Sequence, residues 1–102
     1  MVRKAESIVD DVVTKAIRLG AGGVEVEYKD RHEWVFATQG SFGYGIARFR
    51  SSSPEAVALR KELYRLAKRK RRIVVDAYEY ELRCDVFDSF GEDAFRVELR
   101  RV

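Results

Sequence analysis

Apolar and polar residues alternate with a period of two through three consecutive runs between Arg72 and Arg101. Ile73, Val75 and Ala77 make the first run, Tyr80, Leu82, Cys84 and Val86 the second, and Phe95, Val97 and Leu99 the third. Asp88-Ser89-Phe90-Gly91-Glu92-Asp93 turns the chain before the last of them. Charged residues, among them Asp76, Glu81, Arg83, Asp85, Arg96, Glu98 and Arg100, fill the gaps. This alternation predicts strands with one packed face and one wet face. At the other end of the chain the period changes. Ala5, Ile8, Val9, Val12, Val13, Ala16 and Ile17 recur at helical spacing, with acidic residues early, basic residues late and Gly20 as a stop. Val24, Val26 and Tyr28 return to strand spacing, and Asp30-Arg31 is short enough for a hairpin into His32 to Thr38. That strand is apolar on both faces, with Trp34 and Phe36 on one and Val35 and Ala37 on the other. Gln39-Gly40-Ser41 turns into a third strand, Phe42 to Arg50, in which Gly43 and Gly45 mark a bulge or a close backbone approach. Ser53, Pro54 and Glu55 then start a second helix with a stripe of Ala56, Leu59, Leu63, Leu66 and Ala67.

Helix, strand, strand, strand therefore occurs twice, in halves 4–50 and 53–102 of one domain spanning 1–102. A shift of 48 residues lays Ser41-Phe42-Gly43 on Ser89-Phe90-Gly91 and matches Val9/Val57, Val26/Val74, Glu33/Glu81 and Arg48/Arg96. The helix stripes align better at a shift of 51. The fold class expected is α+β: two repeats forming a largely antiparallel six-stranded sheet, with both helices on one face burying a shared core.

With 102 residues, 46% of them hydrophobic, the chain can bury one core without disulfides. It contains no apolar run of bilayer length, and Met1 to Glu6 lack a signal peptide's apolar segment, so a soluble, cytoplasmic protein is expected. Fourteen of the twenty basic residues are Arg and Asn is absent, a composition that fits a heat-adapted host and equally a GC-rich mesophile genome. The net charge of only +3 speaks against an extended electrostatic footprint.

Candidate chemistry is sparse. Cys84 alternates with Leu82 and Val86 and reads as a small buried hydrophobe, and His32 has no clustered ligands. Gly40 to Gly45 lacks the Lys-Ser/Thr ending of a phosphate loop, and neither Ser41 nor Ser89 has a neighbouring base. No catalytic, cofactor or metal residues are assigned, and an enzyme is not expected. Lys68, Arg69, Lys70, Arg71 and Arg72 form a basic run that reads either as a nucleic-acid site or as a solvated helix end.

Lys15-Ala16-Ile17-Arg18-Leu19-Gly20-Ala21 followed by Val24-Glu25-Val26-Glu27 resembles the small domain that precedes the motor core of type II secretion and type IV pilus ATPases. Phe36-Ala37-Thr38-Gln39-Gly40 stands where that domain's closing strand would. Glu81-Leu82-Arg83 and Gly91-Glu92-Asp93-Ala94-Phe95-Arg96 resemble its later strand, Gly-Glu turn and Arg-bearing strand. The family's Ser-Thr and Pro before the turn are replaced by Cys84 to Phe87, and the ATPase core is absent from these 102 residues. The resemblance implies that Arg83 and Arg96 approach a nucleotide held by such a core. Gly20-Ala21 and the Glu25-Val26-Glu27 strand are also similar to the N-terminal region of TldD/PmbA-type proteins.

The residues by themselves support a non-enzymatic interaction or regulatory module. It would dock a protein partner, or a second copy as a homodimer, through an uncovered sheet face or an edge strand. Trp34, Phe36 and Tyr44 are its candidate apolar anchors and Arg48, Arg83 and Arg96 their polar partners. The alternative is a small basic nucleic-acid-binding domain using residues 68–72.

Overall fold

The computed structural model describes residues 7–102, so Ala5, the first position of the expected helical stripe, lies outside the described residues. Helix α1 spans Ile8–Arg18 and α2 spans Pro54–Lys68. The strands are β1 (Gly23–Lys29), β2 (His32–Gln39), β3 (Phe42–Arg50), β4 (Arg71–Val75), β5 (Tyr78–Ser89) and β6 (Glu92–Arg101). They form one antiparallel sheet in the order β3-β2-β1-β6-β5-β4. The chain is therefore α+β with the helices packed on the sheet, as its periodicities predict.

Local chemistry explains the boundaries. Ser7 and Ser53 cap the two helices, each hydroxyl accepting from the backbone N–H three residues on. Helix α1 ends in a Schellman motif: Gly20, at φ +81°, donates to the Ile17 carbonyl and Ala21 donates to that of Ala16. Helix α2 has no such stop. Its C-cap, Arg69, is extended, and the chain runs straight into β4. Two-residue turns at Asp30-Arg31, Asp76-Ala77 and Phe90-Gly91 take positive φ at both positions, the twist that suits a tight hairpin. Ala77 thus belongs to a turn and not to the strand that sequence alternation assigns it to.

Val9, Val12, Val13 and Ala16 of α1 and Leu59, Leu63 and Leu66 of α2 share one core with Val24, Val26, Val35, Ala37, Leu82, Phe95, Val97 and Leu99 of the sheet. Helix α1 reaches both sheet edges: Lys15 Nζ donates to the Ile46 carbonyl of β3, and Arg18 pairs with Asp76 beside β4 at 2.9 Å. Both helices lie on one face of the sheet, and the other face is open.

The repeat in element order is not a repeat in space. Strand β1 sits inside the sheet, between β2 and β6, whereas β4 lies at an edge; β3 is an edge and β6 is not. Seen from the helices, the two meanders have opposite hands, so no rotation superimposes the halves. An architecture of repeated elements is present without a repeated fold.

Candidate docking site on the open face

The outward positions follow from the register. Val24, Val26, Val35, Ala37, Phe95, Val97 and Leu82 are buried beneath the helices, so their strand neighbours face the other way. Cross-strand rows on the open face run Glu25, Arg96, Asp85; then Gly23, Glu98, Arg83; then Arg100, Glu81, Arg72. Most of this face is a ladder of opposite charges. Arg96 Nη2 donates to Glu25 Oε1 at 3.2 Å, and Arg72 lies 3.5 Å from Glu79. Glu81 is nearly covered and contacts Lys70 Nζ at 3.5 Å.

One end of the face differs. Trp34 and Phe36 stack with ring centroids 6.4 Å apart, both half-buried on β2. The Arg48 guanidinium lies 5.2 Å from the Trp34 ring centroid, and Arg96 lies 5.1 Å from that of Phe87. The Trp34 indole N–H donates to the Lys29 carbonyl, which fixes the ring at the hairpin. Beside this ridge the edge strand presents Gly43 and Gly45 opposite Thr38 and Phe36, so no side chain covers the Phe36 ring from that side. The result is a depression of about 290 Å³ lined by Glu25, Glu27, Phe36, Thr38, Phe42 and Gly43 among others. Among the described residues Glu27 has no cation within ion-pair distance.

The sequence matches no protein-family model and no curated protein. Whatever is said of function therefore rests on this chain's own residues.

The residues expected at a docking face separate. Trp34, Phe36 and Arg48 gather at one end of the open face, whereas Arg96, two strands away on β6, and Arg83 on β5 belong to the charge ladder of the same face. Tyr44 does not join them. The register shifts by one residue between Val35 and Phe36, so that Phe36 pairs with Gly45 and Tyr44 pairs with buried Ala37. Tyr44 therefore points to the helix side, where its hydroxyl donates to the Gln39 carboxamide and Gln39 in turn donates to the Gly20 carbonyl. A one-residue bulge at Ile46 inverts the alternation for every position beyond it.

The basic run 68–72 is divided too. Lys68 ends α2, Arg69 and Lys70 form the α2–β4 connection, and β4 sends Arg71 toward α1 and Arg72 to the open face. Arg71 Nη2 stands 2.7 Å from Asp10 Oδ1, close enough for an ion pair although not aligned as a hydrogen bond.

A second polar constellation was not picked out from the sequence. Glu33, 3% exposed, accepts from Arg60 Nη1 at 3.2 Å, and Arg60 Nη2 donates to the Ser51 carbonyl. Burial pushes the Glu33 carboxyl above its ordinary value, Arg60 offsets part of this, and Glu92 adds to it. Tyr64 donates to Asp93, whose carboxylate holds the phenol proton and raises its pKa. These links tie α2 to the hairpin ends of β2 and β6. Glu33 is in phase with Val35 and Ala37, so its burial could have been read from the alternation.

Cys84 is buried and unpaired, and desolvation with the Asp85 charge pushes its thiol up to about 11. It should resist an aromatic disulfide reagent in the native protein at pH 8 and react at once in denaturant. Rapid labelling of the folded chain would contradict this burial. Among the described residues no group of His, Cys, Asp and Glu is placed to hold a metal ion, and no helix is long and apolar enough to cross a membrane.

Proposed function

We propose that this protein is an interaction module that docks a partner through the Trp34–Phe36 end of its open sheet face, and that the partner is a second copy of the chain. The observation that carries this reading is the pairing of a ridge with a hollow on one surface. Half-buried Trp34 carries exposed Arg48 over its ring, and the depression with Gly43, Glu25 and Glu27 lies alongside. A twofold axis near Phe36 would seat each ridge in the other copy's hollow and bring Arg48 to Glu27. This supplies an isologous contact with opposite charges at its rim. The rest of the face is already neutralised by its own ladder and offers little to a partner. Both sheet edges are poorer docking strands: β4 is short and carries Arg71 and Arg72, and β3 is bulged.

Trp34 is the only tryptophan, so its emission reports on this surface alone. Emission should shift to the blue as wild-type protein is concentrated from the low micromolar range to the millimolar. The Arg48→Glu variant, whose core is untouched, should keep the dilute spectrum throughout. Emission independent of concentration in both proteins would refute the reading.

A further inference from the structure

We propose that the depression between the C-terminal end of α2, the start of β4 and the cap of α1 binds a compact oligophosphate group. It has a volume of about 900 Å³, and five of the eight residues lining it are Arg65, Lys68, Arg69, Lys70 and Arg71. Three carboxylates stand at the depression, one of them capping α1 and two of them on lining cations. Glu62 caps α1, accepting from the Ser7 hydroxyl and from the Ile8 and Val9 backbone N–H groups. Asp10 engages Arg71, and Glu81 engages Lys70. Arg65, Lys68 and Arg69 have no carboxylate within ion-pair distance among the described residues. Arg65 and Lys68 share one face of the last turn of α2 at i and i+3, and Arg69, the extended C-cap, lines the same depression.

These cations also offset the negative end of the α2 dipole, but one or two suffice for that. Because Glu62 already occupies the α1 N-terminus, an anion here is held by side chains and not by helix amides. Two features limit its size and kind. A duplex-binding protein commonly makes about 6–10 phosphate contacts along a stripe. Here five cations line one hollow, and Arg72, the next residue along β4, faces away from it and pairs with Glu79. The lining also holds no aromatic ring, only the Leu66 side chain, so there is nothing on which a base could stack. A short chain of phosphates matches both.

The test titrates the full chain at low ionic strength with inorganic tripolyphosphate, followed by calorimetry and backbone amide shifts. Saturable binding of one tripolyphosphate per chain, with shifts centred on residues 65–71, is expected. A nucleoside triphosphate should bind equally well, since no group is present to favour its base. The Lys68→Gln/Arg69→Gln double variant should lose roughly tenfold or more in affinity while melting within a few degrees of wild type, the order of effect expected from the lost helix-end charges. Arg72→Gln, a charge removal on the open face, should cost far less affinity, through screened long-range attraction alone. No saturable binding of tripolyphosphate, equal loss in Arg72→Gln, or binding confined to duplexes and rising with their length would each overturn the proposal.

Discussion

Phe95→Ala is expected to destabilise the protein by about 4 kcal/mol, the largest loss of any single side-chain truncation in the chain. Phe95 is fully buried on β6, opposite Val26 of β1 on one side and Val86 of β5 on the other. The Tyr64 ring of α2 meets it edge-on with centroids 5.0 Å apart. The ring thus fills the joint between the two three-stranded halves and beneath α2, where strands on both sides keep the cavity from collapsing. Against a total of about 5–15 kcal/mol, that loss should lower the melting temperature by on the order of 20 °C. Phe90 gives the contrast. It lies wholly exposed at the tip of the β5–β6 hairpin, and Phe90→Ala should change stability by about 0.5 kcal/mol at most. Urea unfolding of both variants checks the pair, and similar losses in the two would contradict the core assignment.

Arg60→Ala is the second large effect, about 3 kcal/mol near neutral pH, because it strands the buried Glu33 carboxylate. The pH dependence has a definite sign. Glu33 has its pKa raised in the folded state, so the fold holds that proton more tightly than the unfolded chain does. Its contribution is fully present below the unfolded carboxyl value and is lost as pH rises through the folded one. Without Arg60 the raising effect grows, so the variant should be weakest near neutrality and approach wild type as the pH falls toward 4. Glu33→Gln keeps an acceptor for Arg60 and should cost less than about 1 kcal/mol. The double variant should recover part of the Arg60→Ala loss. A pH-independent deficit in Arg60→Ala, measured by urea unfolding, would rule out this origin.

How much was legible in the sequence depended on how local the cause was. The two helices and six strands follow from periodicity, the Ser53 cap and the short Asp30-Arg31 connection, all settled within a few residues, while the Ser7 cap and the Asp76-Ala77 turn were not read. The charged positions of β5 and β6 likewise reveal the open face before any tertiary contact is known. Tyr44 was illegible because the bulge at Ile46 leaves the composition of β3 ordinary while turning its phase. The strand order was also beyond reach, since β1–β6 pairing joins residues far apart in the chain. The Glu33–Arg60 link and the clustering of Arg65, Lys68 and Arg69 around one hollow depend on that same packing. The depression beside Phe36 needed both the glycines of β3 and the bulge; the glycines pointed to a bulge or a close approach, but not to Ile46 as its place.

The central claim is that the Trp34–Phe36 end of the open face meets its counterpart on a second copy. Sedimentation equilibrium of the wild-type chain and of Arg48→Glu, over the same concentration range, addresses it directly. The account predicts a monomer–dimer equilibrium for the wild type, with a dimer mass twice the 11.8 kDa of one chain, and a monomer throughout for the variant. A wild-type chain that stays monomeric at millimolar concentration, or a dimer unaffected by Arg48→Glu, would contradict it.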